Sequence, residues 1–74
     1  MSRAAWRSTL GDELPREMAR VRDEVLGTYL ELGPPGAVAA VLMRRDLDDA
    51  AQALAEGDVR GMLRALSNLR RWSL

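Results

Sequence analysis

Apolar and semi-apolar residues recur at Leu14, Met18, Val21, Val25, Thr28 and Leu32, in alternating steps of four and three. That spacing gathers them on one face of a helix. Leu26 and Leu30 widen the stripe, and Tyr29 lies at its edge. Start and stop signals bracket the run. Asp12 is placed to cap the N-terminus, Pro15 falls near the first turn, and Glu13 and Glu17 complement the positive end of the helix dipole. Gly33 supplies a left-handed C-cap, and Pro34 and Pro35 stop further growth. A first helix over 13–32 is predicted.

A second helix is predicted over 37–56, with Ala40, Met43, Leu47, Ala50, Ala51 and Leu54 sharing one face at about 100° per residue. Gly57 ends it and Asp58 at once caps a third helix over 59–72, so E-G-D-V reads as a tight helix–helix turn. Val59, Met62, Leu63, Leu66 and Leu69 form the buried stripe of that third helix. Gly61 either permits close packing there or is simply tolerated at a cost of about 1 kcal/mol. Short connections favour antiparallel neighbours, so the pattern predicts an all-α fold, a small antiparallel three-helix bundle. Strands are not expected, because no segment alternates with period two. Residues 1–11 are an N-terminal arm, or a short helix that lays Trp6 and Leu10 on the bundle; 12–74 form a single helical domain.

One stretch has more apolar surface than a bundle helix needs. Residues 37–43 are apolar all round. Ala40 and Met43 face the inferred core, whereas Val38, Val41 and Leu42 surround the direction taken by Arg45, nearly opposite. Those three residues need a cover. Either the N-terminal arm folds back over them with Trp6 and Leu10, or another chain does, a second copy or a foreign protein.

Composition then narrows the chemistry. The 74 residues allow one domain with a thin stability margin. The 47% apolar content supports order over most of the chain. Histidine and cysteine are missing, which removes disulfides and ordinary zinc sites as staples. With no lysine either, the usual general base, thiol nucleophile and Schiff-base amine are lacking, and Ser2, Ser8, Ser67 and Ser73 have no imidazole to activate them. The G-P-P-G turn cannot cradle a phosphate, because proline has no N–H to offer. Asp46, Asp48 and Asp49 are the one candidate metal cluster, but Asp48 points away from Asp46, and Arg44 and Arg45 stand four residues before Asp48 and Asp49 as competing partners. No enzyme, cofactor or metal is expected. No apolar run is long enough for a membrane span and the first dozen residues lack the apolar centre of a secretory signal, so a cytoplasmic protein is expected.

The zero net charge is unevenly distributed. Residues 1–11 hold two arginines and no acid; 12–58 hold eleven acids and five arginines; 59–74 hold four arginines and no acid. On the third helix Arg60, Arg64 and Arg71, with Ser67 between them, fall within about 60° of one another. Such a stripe suits an acidic protein surface or nucleic-acid phosphates, or it simply neutralises the acids of the second helix. Trp72 in R-R-W is either an interface anchor or, with Trp6 and Tyr29, a lid on the end of a small core.

Three segments, L-P-R-E-M-A-R-V-R-D-E-V-L, G-P-P-G-A-V-A-A-V-L-M and A-L-A-E-G-D-V-R-G-M-L-R-A-L, resemble small helical proteins of about this length from phages and prophages of GC-rich bacteria. The all-arginine basic set agrees with a GC-rich genome. The resemblance implies a class of biology and transfers no functional residue: non-enzymatic proteins that bind a host protein and block it sterically, with anti-CRISPR inhibitors the concrete instance. On that expectation the contacts come from Val38, Val41, Leu42 and Arg45, or from Arg60, Arg64, Arg71 and Trp72. The alternatives are a homodimer joined through the second helix, and a nucleic-acid accessory factor using the arginines of the third.

Overall fold

The computed structural model describes the backbone of residues 3–74 and side chains from Thr9 onward; the expected contacts of Trp6 lie outside the described residues. Among the described residues all regular structure is helical, arranged as three rods in an antiparallel bundle. The first rod is built from three pieces end to end: α1 (Arg3–Arg20), a π-helical turn (Val21–Val25) and α2 (Leu26–Glu31). The second rod is α3 (Pro34–Glu56) and the third is α4 (Val59–Arg70). At 1.5 Å per residue the first rod is roughly 43 Å long, which accounts for the 46 Å long dimension of the molecule.

The first helix starts well before the position that its cap signals suggest. Asp12 is exposed within α1 and caps nothing, and Pro15 lies in the helix interior. An interior proline costs about 3 kcal/mol because it lacks the N–H of one helical bond. The offset comes from packing. Leu10 and Leu14 both precede the proline and both are buried in the core, at about 1.5–3 kcal/mol each. Tertiary burial thus carries the helix through a residue that would otherwise begin it.

The π turn explains the second departure. The Leu26 N–H donates to the Val21 carbonyl, five residues back, so the turn holds one residue more than an α-helical turn. The stripe Leu14, Met18, Val21, Val25 continues as expected up to this point. Beyond it the register moves on by one residue: Thr28 and Leu32 are exposed, and Leu26 and Tyr29 pack against the core instead.

Both connections use glycine where the backbone demands it. Gly33 takes φ 72° and ψ −146°, a conformation that is essentially glycine's alone, and so reverses the chain in place of a left-handed cap. Pro34 and Pro35 become the first residues of α3, where a missing N–H costs nothing. Gly57 is left-handed at the end of α3, and the Asp58 carboxylate accepts from the Gly61 N–H at 3.1 Å. That turn is the one that the sequence predicts.

α1 packs mainly on α4 and α2 on α3, and α3 also packs extensively on α4. The deepest side chains, Leu14, Val21, Val25, Met43 and Leu69, come from all three rods. Because α3 meets α2 near its start and α4 near its end, its buried face rotates from Gly36, Ala40 and Met43 to Ala50 and Ala53. Ala53 is therefore buried in place of Ala51. On α4 the buried set is Met62, Ala65, Leu66 and Leu69, which leaves Leu63 44% exposed at the edge of the stripe.

Candidate interaction surface

The outer face of α3 begins with three apolar side chains at i, i+3 and i+4. Val38 is 69% exposed, Val41 63% and Leu42 45%. Ala40 and Met43 of the same stretch are buried at 1% and 0%. The sequence-level division of this segment into a core side and a surplus side is the division in the fold. Arg45 continues the outer face one turn further on and is exposed.

Leu10 does not cover this patch. It sits in the core cluster and, with Leu54, Gly57, Val59 and Met62, lines an apolar pocket beside the turn between α3 and α4. Leu54 lies twelve residues beyond Leu42 on α3, which at 1.5 Å per residue is about 18 Å. The fold-back of an arm onto the patch is corrected in this respect: Leu10 belongs to a helix whose direction takes it to the opposite end of α3.

The arginines and aspartates that follow the patch are not paired along the helix. Among the described residues the ion pairs are Arg20–Glu17, Arg22–Asp23 and Arg70–Glu13. The expected Arg44–Asp48 and Arg45–Asp49 pairs are not formed, and all four side chains are exposed. Asp46, half-buried, accepts from the Trp72 indole N–H at 2.7 Å. The acidic cluster is thereby split, with one member turned inward and two outward. The Asp23 carboxyl is lowered by its hydrogen bond from Arg22, and Arg22 is raised by the same contact. That pair lies on the π turn and belongs to neither candidate surface.

Trp72 is held by all three rods. Its carbonyl accepts from Arg20 Nη2 at 2.8 Å, its indole N–H reaches Asp46, and its ring meets Tyr29 edge-on at 6.3 Å. The same Arg20 nitrogen donates to the Leu69 carbonyl at 3.2 Å, which also accepts from the Trp72 backbone N–H at 3.1 Å, and so places a cation at the C-terminal end of α4. The Tyr29 hydroxyl donates to the Ser73 carbonyl at 3.3 Å. Trp72 is thus a half-buried clasp on the core edge. The reading of Trp72 with Tyr29 as a lid on the core is the one the fold adopts, but no local signal reports Arg20 and Asp46 as its partners, because they lie far from Trp72 along the chain.

Arg60, Arg64, Ser67 and Arg71 are all exposed along α4. Arg64 lines a groove between α3 and α4 together with Asp49, Glu56 and Asp58, so acids stand beside it. This groove borders the second half of α3, whereas Val38, Val41 and Leu42 occupy the first half. The apolar patch and the arginine stripe are two surfaces. Among the described residues no group of acids is gathered as a metal would need, and no helix is long and apolar enough to cross a membrane. Compared with known proteins, the chain matches no family model, no curated protein and no solved structure.

Proposed function

We propose that this is a non-enzymatic binding protein that works by docking the outer face of α3 on another protein chain. The exposure of Val38, Val41 and Leu42 on one helical face carries the proposal. A domain this small has little apolar surface to spare, and full burial of such side chains is worth about 1.5–3 kcal/mol each. The non-catalytic part rests on composition, since the chain has no histidine, cysteine or lysine. Steric blockade of a host protein, as by an anti-CRISPR inhibitor, is the concrete form suggested by the resemblance to phage proteins. The exposed arginines of α4 offer a second, electrostatic contact to an acidic partner.

A photo-crosslinking amino acid placed at Val41 of the full chain, expressed in a bacterial host, tests the reading. The expected result is a discrete covalent adduct that is not formed from the same group placed at Arg16, an exposed position on α1. Its mass identifies the partner. Equal, diffuse labelling from both positions removes the α3 face as the working surface.

A further inference from the structure

The order of charges on α3 has a symmetry that a docking face for an unrelated protein does not require. Arg44 and Arg45 precede the midpoint between Asp46 and Leu47, and Asp48 and Asp49 follow it at the same distances. Asp46 and Leu47 are both half-buried, and Asp46 is committed to Trp72. The outward-facing members are therefore two cations and two anions, none engaged in an ion pair within its own chain among the described residues. Side-chain character follows the same division, large and apolar before the midpoint, small or polar after it. Val38, Val41 and Leu42 lie on one side of the midpoint, and the exposed Ala51, Gln52 and Ala55 lie at the mirror positions on the other.

We propose that the chain which covers the α3 face is a second copy of this one, packed antiparallel about a two-fold axis that passes between the two α3 helices, level with the midpoint between Asp46 and Leu47. This rests on the docking reading above and names the partner of that surface. The two-fold sets Arg45 against the partner's Asp48 near the centre of the contact, and on its flanks brings Arg44 toward the partner's Asp48 and Asp49 toward the partner's Arg45, each repeated by symmetry. It also sets Val41 against the partner's Gln52 and Val38 against the partner's Ala55, whereas Leu42 and Ala51, nine residues and so about 180° apart on the helix, stand on opposite flanks of the contact. Val38 thus meets a small side chain, as helix axes 8–10 Å apart favour. The contact runs from Val38 to Ala55, about 25 Å of helix at 1.5 Å per residue. A parallel pairing in register places arginine on arginine and aspartate on aspartate, and like charges in contact disfavour it.

Sedimentation of the full chain is expected to give a mass near twice 8.2 kDa. Two charge-swapped variants, R44E/R45E and D48R/D49R, are each expected to lose self-affinity by about tenfold or more, because four like charges then face four. Mixed in equal amounts, they are expected to form a heterodimer at least as tight as the parent. Register is read separately from V41C and Q52C, in a chain with no cysteine of its own. Mixed under oxidation, they are expected to yield the V41C–Q52C disulfide in excess over the V41C homodisulfide. A parent chain that stays monomeric overturns the proposal, and so does a dimer that is indifferent to both swaps or cross-links without the V41C–Q52C preference. A monomeric parent whose Val41 crosslinks to a foreign protein removes self-pairing and leaves the docking surface standing. A monomer with no specific Val41 adduct removes both.

Discussion

Two glycines in helical segments show how differently one residue type is used. A Cβ on Gly36 would lie 1.8 Å from the Tyr29 carbonyl oxygen and 2.8 Å from its carbon, so the start of α3 approaches the backbone of α2 as closely as a missing side chain allows. A Cβ on Gly27 would meet nothing within 4 Å. Gly36→Ala is expected to destabilise by about 3 kcal/mol or more, because backbone must move to admit the methyl group. Gly27→Ala is expected to stabilise by about 0.5–1 kcal/mol, since alanine loses less freedom on entering a helix. Urea denaturation of the two variants beside the parent checks the opposite signs. Equal effects would mean that the close approach at Gly36 does not exist in solution.

Among the elements, the π turn departs furthest from the plain reading of the sequence. Its buried Val21 and Val25 continue into the half-buried Leu26 and Tyr29 of α2, whereas an α-helix needs i, i+3, i+4 and i+7 on one face. Removing one exposed residue from the turn, such as Asp23, restores the α-helical spacing without moving either half of the rod out of contact. The deletion of Asp23 is therefore expected to keep a cooperative unfolding transition and the near-ultraviolet signal of packed Trp72. Deleting Asp48 from the regular helix α3 turns all that follows by about 100° relative to what precedes, and is expected to abolish both. Circular dichroism in the far and near ultraviolet distinguishes the outcomes. If the Asp23 deletion unfolds the chain, the extra residue is required for the bundle and is not merely accommodated by it.

At the scale of the whole molecule, Leu10 and the apolar patch lie toward opposite ends of α3. Leu10 packs beside the α3–α4 turn, with 5% of its surface exposed, while the apolar patch lies in the first half of α3. Leu10→Ala is expected to cost about 2–5 kcal/mol, and to leave self-association unchanged wherever the variant remains folded. Thermal unfolding and sedimentation of the same sample measure the two effects independently. A loss of association in step with stability would show that the ends are coupled through the rod. At the Trp72 clasp all three rods meet: Arg20 donates to the Leu69 and Trp72 carbonyls, Asp46 accepts from the indole, and Tyr29 packs edge-on against the ring.

From residue order alone follow the three-rod all-α bundle, the Gly57–Asp58 turn, the inward side of Ala40 and Met43, and the outward side of Val38, Val41, Leu42 and Arg45. These depend on helical period and on capping, and both act within a few residues. Tertiary structure alone decided that α1 runs through Asp12 and Pro15, that a π turn moves the buried stripe from Thr28 to Tyr29, and that Trp72 closes the core edge through Asp46 and Arg20. The physical reason is the same in each case. Burial of Leu10 and Leu14 outweighs a local stop signal, and contacts between residues distant in the chain leave no periodic trace in it.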